Sequence, residues 1–169
     1  KNTFENLYDK KVENKILLFS LQHELHYESA FKMFKDNPII GIGPKMFRIK
    51  CSDKKYYTKE RINNENFKYL EGCSTHPHNI IVQLLSETGI IGLSLFLLGY
   101  FFVIIKLIKY KFNELIDENR SYNQFYLISI GILINLFPLL PSGNYFNNWL
   151  SIMNFYYIGL YLFMFKKIN

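Results

Sequence analysis

The sequence predicts an all-α, polytopic membrane protein with about three transmembrane helices and a large, partly helical loop outside the membrane. Three observations predict it. No Asp, Glu, Lys or Arg occurs from Gly89 to Ile105, nor from Ser121 to Phe165. The first 77 residues, by contrast, carry 14 of the 20 basic and 10 of the 14 acidic side chains. Aromatic residues make up 18% of the chain, with 16 Phe and 13 Tyr, which is high for a soluble domain. A polar front, 1–77, is therefore joined to a lipid-soluble back, 78–169. The chain begins at Lys1 rather than at a methionine, so a piece of a longer protein is expected.

In the polar front, Ser20 to Asn37 reads as a helix. Leu21, Leu25, Phe31 and Phe34 recur near helical spacing, and Asp36-Asn37-Pro38 is a stop signal. Gly41-Ile42-Gly43-Pro44 follows as a tight turn. Residues 50–70 are charged and aromatic without a clean period, so an irregular loop with at most a short helix is expected there. The first span is expected over about 80–107. Its uncharged core of 17 residues, Gly89–Ile105, approaches the roughly 20 needed to cross the hydrocarbon layer. Pro138, Pro141 and Gly143 divide the next uncharged run into spans at about 124–140 and 149–165.

Orientation follows from the short loops, where Lys and Arg accumulate on the cytoplasmic side. The connector 106–120 and the tail 166–169 are both basic and lie two spans apart, so both are expected in the cytoplasm. Residues 1–77 and the turn at 141–147 then face a periplasm-like space. The net charge of +6 does not point to nucleic acid, because the cations are interleaved with acids and no nucleic-acid motif is present. Cys51 and Cys73 both fall in the external region, where disulfides persist. A bridge between them would close the loop that carries Arg61 and lock it beside the histidines. The alternative is two unpaired thiols.

The residues with chemical promise cluster at the entry to the first span. His78 is neutral near pH 7 and can accept a proton from a hydroxyl. Its bland alternative is a helix-start histidine bonded only to nearby backbone. His76 lies two residues away, but His-Pro-His offers at most two metal ligands, and no Asp or Cys pair completes a closed set, so no metal is expected. Asn79, Gln83, Ser86 and Glu87 share one helix face, which must look into protein or a wet cavity. Glu87 lies ~14 Å along the helix from His78, at 1.5 Å per residue, which suits a buried support better than a catalytic partner. Gly89 and Gly92 read as close-packing positions. Lys45, Arg48 and Arg61 are candidate anion contacts, Arg48 through a guanidinium that grips phosphate with two hydrogen bonds. A solvated surface charge is the plain alternative for each.

Four segments together resemble the bacterial O-antigen ligase/polymerase family. They are Ala30–Pro38, Gly41–Arg48, the run from His76 to Gly92 with its His-Asn…Gly…Gly spacing, and Pro141–Trp149. Their order matches that family's C-terminal half. The resemblance implies a multi-pass glycosyltransferase of the bacterial inner membrane with residues 1–77 periplasmic. It implies an undecaprenyl-diphosphate-linked glycan as donor, an acceptor that is a second such glycan or lipid A-core, and no cofactor. His78 would be the base or acceptor-orienting group. Arg48, with Lys45, Arg61 or His76, would meet the diphosphate, and Asn79, Glu87, Gly89 and Gly92 would support the site. One position departs from the family pattern. An arginine is common about four residues before an aromatic in the helix ahead of the Asn-Pro turn, and here His23 precedes Tyr27 in that place. The reading from a different class is a non-enzymatic membrane transporter or scaffold of a surface-polysaccharide system. Transporters tend to place ionisable groups at the membrane midplane, and the long uncharged stretches carry none.

Overall fold

The computed structural model describes residues 20–61, 67–114 and 120–168. Helix α1, Leu21–Asp36, starts where the Ser20 hydroxyl accepts from the His23 N–H and stops where the Asn37 N–H closes on the Met33 and Phe34 carbonyls. The turn after it leads to a four-residue helix α2, Phe47–Lys50. A 3-10 turn, Lys54–Tyr56, leads to strand β1, Thr58–Arg61, which pairs antiparallel with β2, Phe67–Leu70. Three helices complete the chain: α3 Ile80–Glu114, α4 Arg120–Asn135 and α5 Asn148–Ile168.

The fold is mostly helical. Among the described residues, one helix is long and apolar enough to cross a membrane, over Ile80–Tyr110. The expectation of an irregular loop over 50–70 is corrected by the hairpin. Its strands are four residues each and charged, too short to show an alternating pattern. The ladder pairs Lys59 with Tyr69 and Glu60 with Lys68. Helix α4 also ends at Asn135, short of Pro138, because the residue before a proline is pushed out of the helical region and the chain turns early.

Two apolar clusters hold the parts. Ala30 and Met33 of α1 pack on Phe47, Cys51 and Tyr56, which fixes the region ahead of α3. The Ser29 hydroxyl and the Lys32 amine donate to the Tyr56 and Tyr57 carbonyls and pin the 3-10 turn to the same helix. The second cluster runs between α3, α4 and α5 through Leu93, Val103, Phe125, Ile132, Tyr161 and Met164. The outward faces of these helices are apolar: Leu95 is 66% exposed, Ile134 72% and Trp149 80%. Apolar surface on that scale suits a lipid surround or a partner, not water.

Helix α3 is broken at Gly89, which sits at φ 64°, ψ −164°. The turn 38–43 is stitched into the break. The Ile42 and Gly43 N–H groups donate to the Ser86 and Glu87 carbonyls, and the Ile90 and Ile91 N–H groups donate to the Pro38 and Ile39 carbonyls. Four backbone groups that a break would orphan are thus satisfied. Only glycine fits the crossing. A Cβ at Gly89 would come within 2.3 Å of the Ile39 carbonyl oxygen, and one at Gly41 within 2.4 Å of the Glu87 backbone. The apolar helix expected over about 80–107 is present, but the expectation that Gly89 serves helix packing is corrected. Gly89 is a break that lets the turn 38–43 insert. Gly92 leaves room for the Thr88 side chain, whose hydroxyl a Cβ there would strike at 2.1 Å.

Candidate functional site

All four histidines of the chain converge at the start of α3. The His78 ring centroid lies 4.1 Å from that of His76, 5.4 Å from His23 and 5.5 Å from His26. His78 itself has φ 59°, a left-handed conformation uncommon for a residue other than glycine. Strain of this kind, on the order of 1–3 kcal/mol, persists only where the surroundings over-determine it. Those surroundings are visible. Buried Pro77 precedes it, and the His78 carbonyl accepts from the Ser142 N–H at 2.8 Å.

The four imidazoles are held differently. His76 is buried. Its Nε2–H donates to the Ser142 carbonyl at 3.1 Å, which leaves Nδ1 to accept from the Thr75 hydroxyl at 2.9 Å. Both its ring nitrogens are thus engaged by protein partners. His26 is buried too, and its Nδ1–H donates to the Gly72 carbonyl at 3.0 Å. Gly72 lies against α1 so closely that a Cβ would meet the Leu25 carbonyl oxygen at 2.1 Å. Ser74 Oγ lies 3.0 Å from Nε2 of half-buried His78. Burial lowers the pKa of His76 below the ordinary histidine value. Burial, and then the three neighbouring imidazoles, lower that of His78. Both rings are therefore neutral at pH 7, the state in which a histidine can take a proton.

His78 lines an open cleft of about 460 Å³. Ser20, Gln22, His23 and His26 form the wall contributed by α1 and its cap. Cys73, Ser74 and Thr75 line the other side with His78. Cys73 is bonded to Cys51, with Cα atoms 4.8 Å apart, so this wall is tied to the end of α2. Among the described residues, no group of three or more His, Cys, Asp or Glu side chains is placed to hold a metal ion.

Behind the cleft, the polar face of α3 is fully occupied. The Asn79 carbonyl oxygen caps the Val82 N–H, and its amide donates to the Pro138 carbonyl. Gln83 donates to Glu87 and to Asn144, and accepts from the Tyr145 N–H. The other Glu87 oxygen accepts from the Phe47 N–H at 2.9 Å, at the start of α2. Glu87 is 1% exposed and Gln83 0%. This face thus fastens two turns, 44–47 and 138–146, to one helix.

The sequence-level candidates separate in space. His76, His78, Asn79 and Glu87 belong to one connected structure. The Lys45 amine donates to Asn148 at 2.9 Å, at the start of α5, and Lys45 has φ 63°. The Arg48 side chain is exposed on α2, and neither it nor Lys45 lines the histidine cleft. The Arg61 side chain lies outside the described residues. His26 escaped sequence reading, although a signal was there: His23-x-x-His26 puts two imidazoles on one face of α1.

A family model described as O-Antigen ligase matches residues 9–97. The chain belongs to the O-antigen ligase family. The match covers more than half of the 169 residues and takes in α1, the inserted turn, the hairpin, the histidine turn and the helix break. No curated protein and no solved structure matches the chain. The O-antigen ligase family is one of membrane proteins, associated with O-antigen ligase- and polymerase-type transfer reactions. Helices α4 and α5 lie beyond the matched residues. Yet the turn between them is the one that Asn79, Gln83 and His76 hold, so the matched segment and the later helices form one structure around the histidines.

Proposed function

We propose that this protein is a membrane glycosyltransferase that transfers or polymerises undecaprenyl-diphosphate-linked glycan on the periplasmic face of the bacterial inner membrane. The observation that carries this reading is the placement of His78. It is a neutral imidazole on strained backbone, lining an open cleft at the head of the apolar helix, in a chain of the O-antigen ligase family.

In this reading α3, α4 and α5 cross the membrane, the basic segments 106–120 and 166–169 face the cytoplasm, and residues 1–77 are periplasmic. The donor is then a lipid diphosphate, since nucleotide sugars are cytoplasmic. A hydroxyl of the acceptor, a second lipid-linked glycan or lipid A-core, attacks the anomeric carbon of the donor. A new glycosidic C–O bond forms as the C–O bond to the diphosphate breaks, and the diphosphate leaves with the electron pair. His78 takes the hydroxyl proton as the bond forms. In the tautomer that donates Nε2–H to Ser74, Nδ1 is the accepting atom, so Ser74 is a positioning residue. Arg48, with Lys45 and Arg61, stabilises the charge growing on the leaving diphosphate. Asn79 and Glu87 support the site through the network behind it, and His76 holds the turn.

The test is His78→Asn, which keeps a side chain tolerant of the left-handed backbone and removes the base. In the protein expressed in its own strain, this variant is expected to accumulate to the wild-type level and to abolish long-chain surface glycan. Normal glycan from that strain would remove His78 from the chemistry.

A further inference from the structure

Among the described residues, the lining of the His78 cleft carries no fixed charge. None of the described residues lining it is Lys, Arg, Asp or Glu. It offers hydroxyls, an amide and imidazoles, all of which both donate and accept hydrogen bonds. A diphosphate moved into such a site would lose its water without gaining a cation, at a large cost in free energy. The described cations of the turn beside α2 are elsewhere, Lys45 on Asn148 and Arg48 exposed outside the cleft. An uncharged polyhydroxyl group is the ligand that matches this lining. At about 460 Å³, the cleft falls in the range of roughly 300–1,000 Å³ that holds small ligands.

The atoms are also suitably placed. Because His26 Nδ1–H donates to the Gly72 carbonyl, its Nε2 is an acceptor when the ring is neutral. His78 has one nitrogen beside Ser74, and the other has no partner among the described residues. The two imidazoles, with centroids 5.5 Å apart, both line the cleft, where a sugar hydroxyl would meet them. Gln22, exposed on the first turn of α1, extends the same wall.

We propose that the histidine cleft is the acceptor-sugar subsite, in which Gln22, His23 and His26 of α1 bind an uncharged sugar ring and present its hydroxyl to His78. This rests on the glycosyltransferase reading and deepens it: the acceptor and the diphosphate occupy separate places, and α1 belongs to the acceptor. His23 and His26 therefore do not replace a phosphate-binding arginine. They make a different kind of contact.

The experiment uses the full protein in lipid nanodiscs and two probes. One is glycan released by mild acid from the strain's own lipid-linked pool, so that it carries no diphosphate. The other is inorganic diphosphate. Binding of each is titrated against wild type, Gln22→Ala and His23→Ala, after matching melting curves show that the variants fold. Each variant is expected to weaken glycan binding about fivefold or more, the worth of roughly one hydrogen bond, and to leave diphosphate binding unchanged. Loss of diphosphate binding, unaltered glycan binding, or no measurable glycan binding by wild type would each overturn the proposal. A parallel complementation separates the two levels. If the wild-type gene fails to restore long-chain glycan to a deletion strain, the glycosyltransferase reading itself fails. If it restores glycan and the titrations disagree, only the subsite assignment falls.

Discussion

The Ser142 backbone brackets the histidine turn: its N–H donates to the His78 carbonyl at 2.8 Å, and its carbonyl accepts from the His76 ring at 3.1 Å. The turn between α4 and α5 is therefore part of what holds His78 in its left-handed conformation. The side chains of α3 that grip the same turn become structural requirements of the site.

Gln83 makes the most of these contacts, to Glu87, Asn144 and the Tyr145 N–H. Gln83→Leu takes the partner from one Glu87 oxygen and from the Tyr145 N–H, while the Asn144 side-chain oxygen keeps the Phe146 N–H, and each group left unsatisfied costs about 1–3 kcal/mol. The expected loss is about 3 kcal/mol in total, read as a lower melting temperature in detergent. A melting curve identical to wild type would show that the network does not hold the turn.

Gly89 and Gly99 lie on the same helix and make a matched pair. Gly89→Ala meets both a positive φ and the Ile39 carbonyl, so the inserted turn must come out of the helix break. We expect poor accumulation in the membrane and faster proteolysis of residues 38–43. At Gly99 nothing lies within 4 Å of an added Cβ, and Gly99→Ala is expected to be neutral or to stabilise by up to ~1 kcal/mol. Equal behaviour of the two variants would contradict the break.

The bond between Cys51 and Cys73 closes a loop with a sequence separation of 22. In the chain-entropy account, a loop of that size contributes about 3 kcal/mol. Non-reducing peptide mass spectrometry of the native protein should show the 51–73 cross-link. Reductant should lower the melting temperature and loosen the cleft wall that Cys73 lines. Two alkylatable thiols in unreduced protein would count against the bridge.

His76 and His78 set a pH dependence. The folded-state pKa values of His76 and His78 are lowered, chiefly by burial, so the unfolded chain binds these protons more readily. Their contribution to stability is whole above the ordinary histidine value of about 6.5 and is lost as pH falls from there through the folded values. Melting at pH 5.5 should therefore fall below melting at pH 7.5, and His76→Gln should flatten that difference. A slope unchanged in His76→Gln would mean that other groups carry it.

Much of this protein was legible in its sequence. The uncharged run from Gly89 and the polar face Asn79-Gln83-Ser86-Glu87 determined an apolar helix with a buried polar stripe at its head, because charge and periodicity are local properties. The family, too, was readable from short segments in order. Tertiary structure decided the rest. It broke α3 at Gly89, where a positive φ and the close approach of Ile39 together make the glycine necessary. It brought His23 and His26, some 50 residues away in sequence, to the side of His78. It also left Lys45 and Arg48 outside the cleft. These are distances between segments far apart in the chain, and no local pattern of residues encodes them.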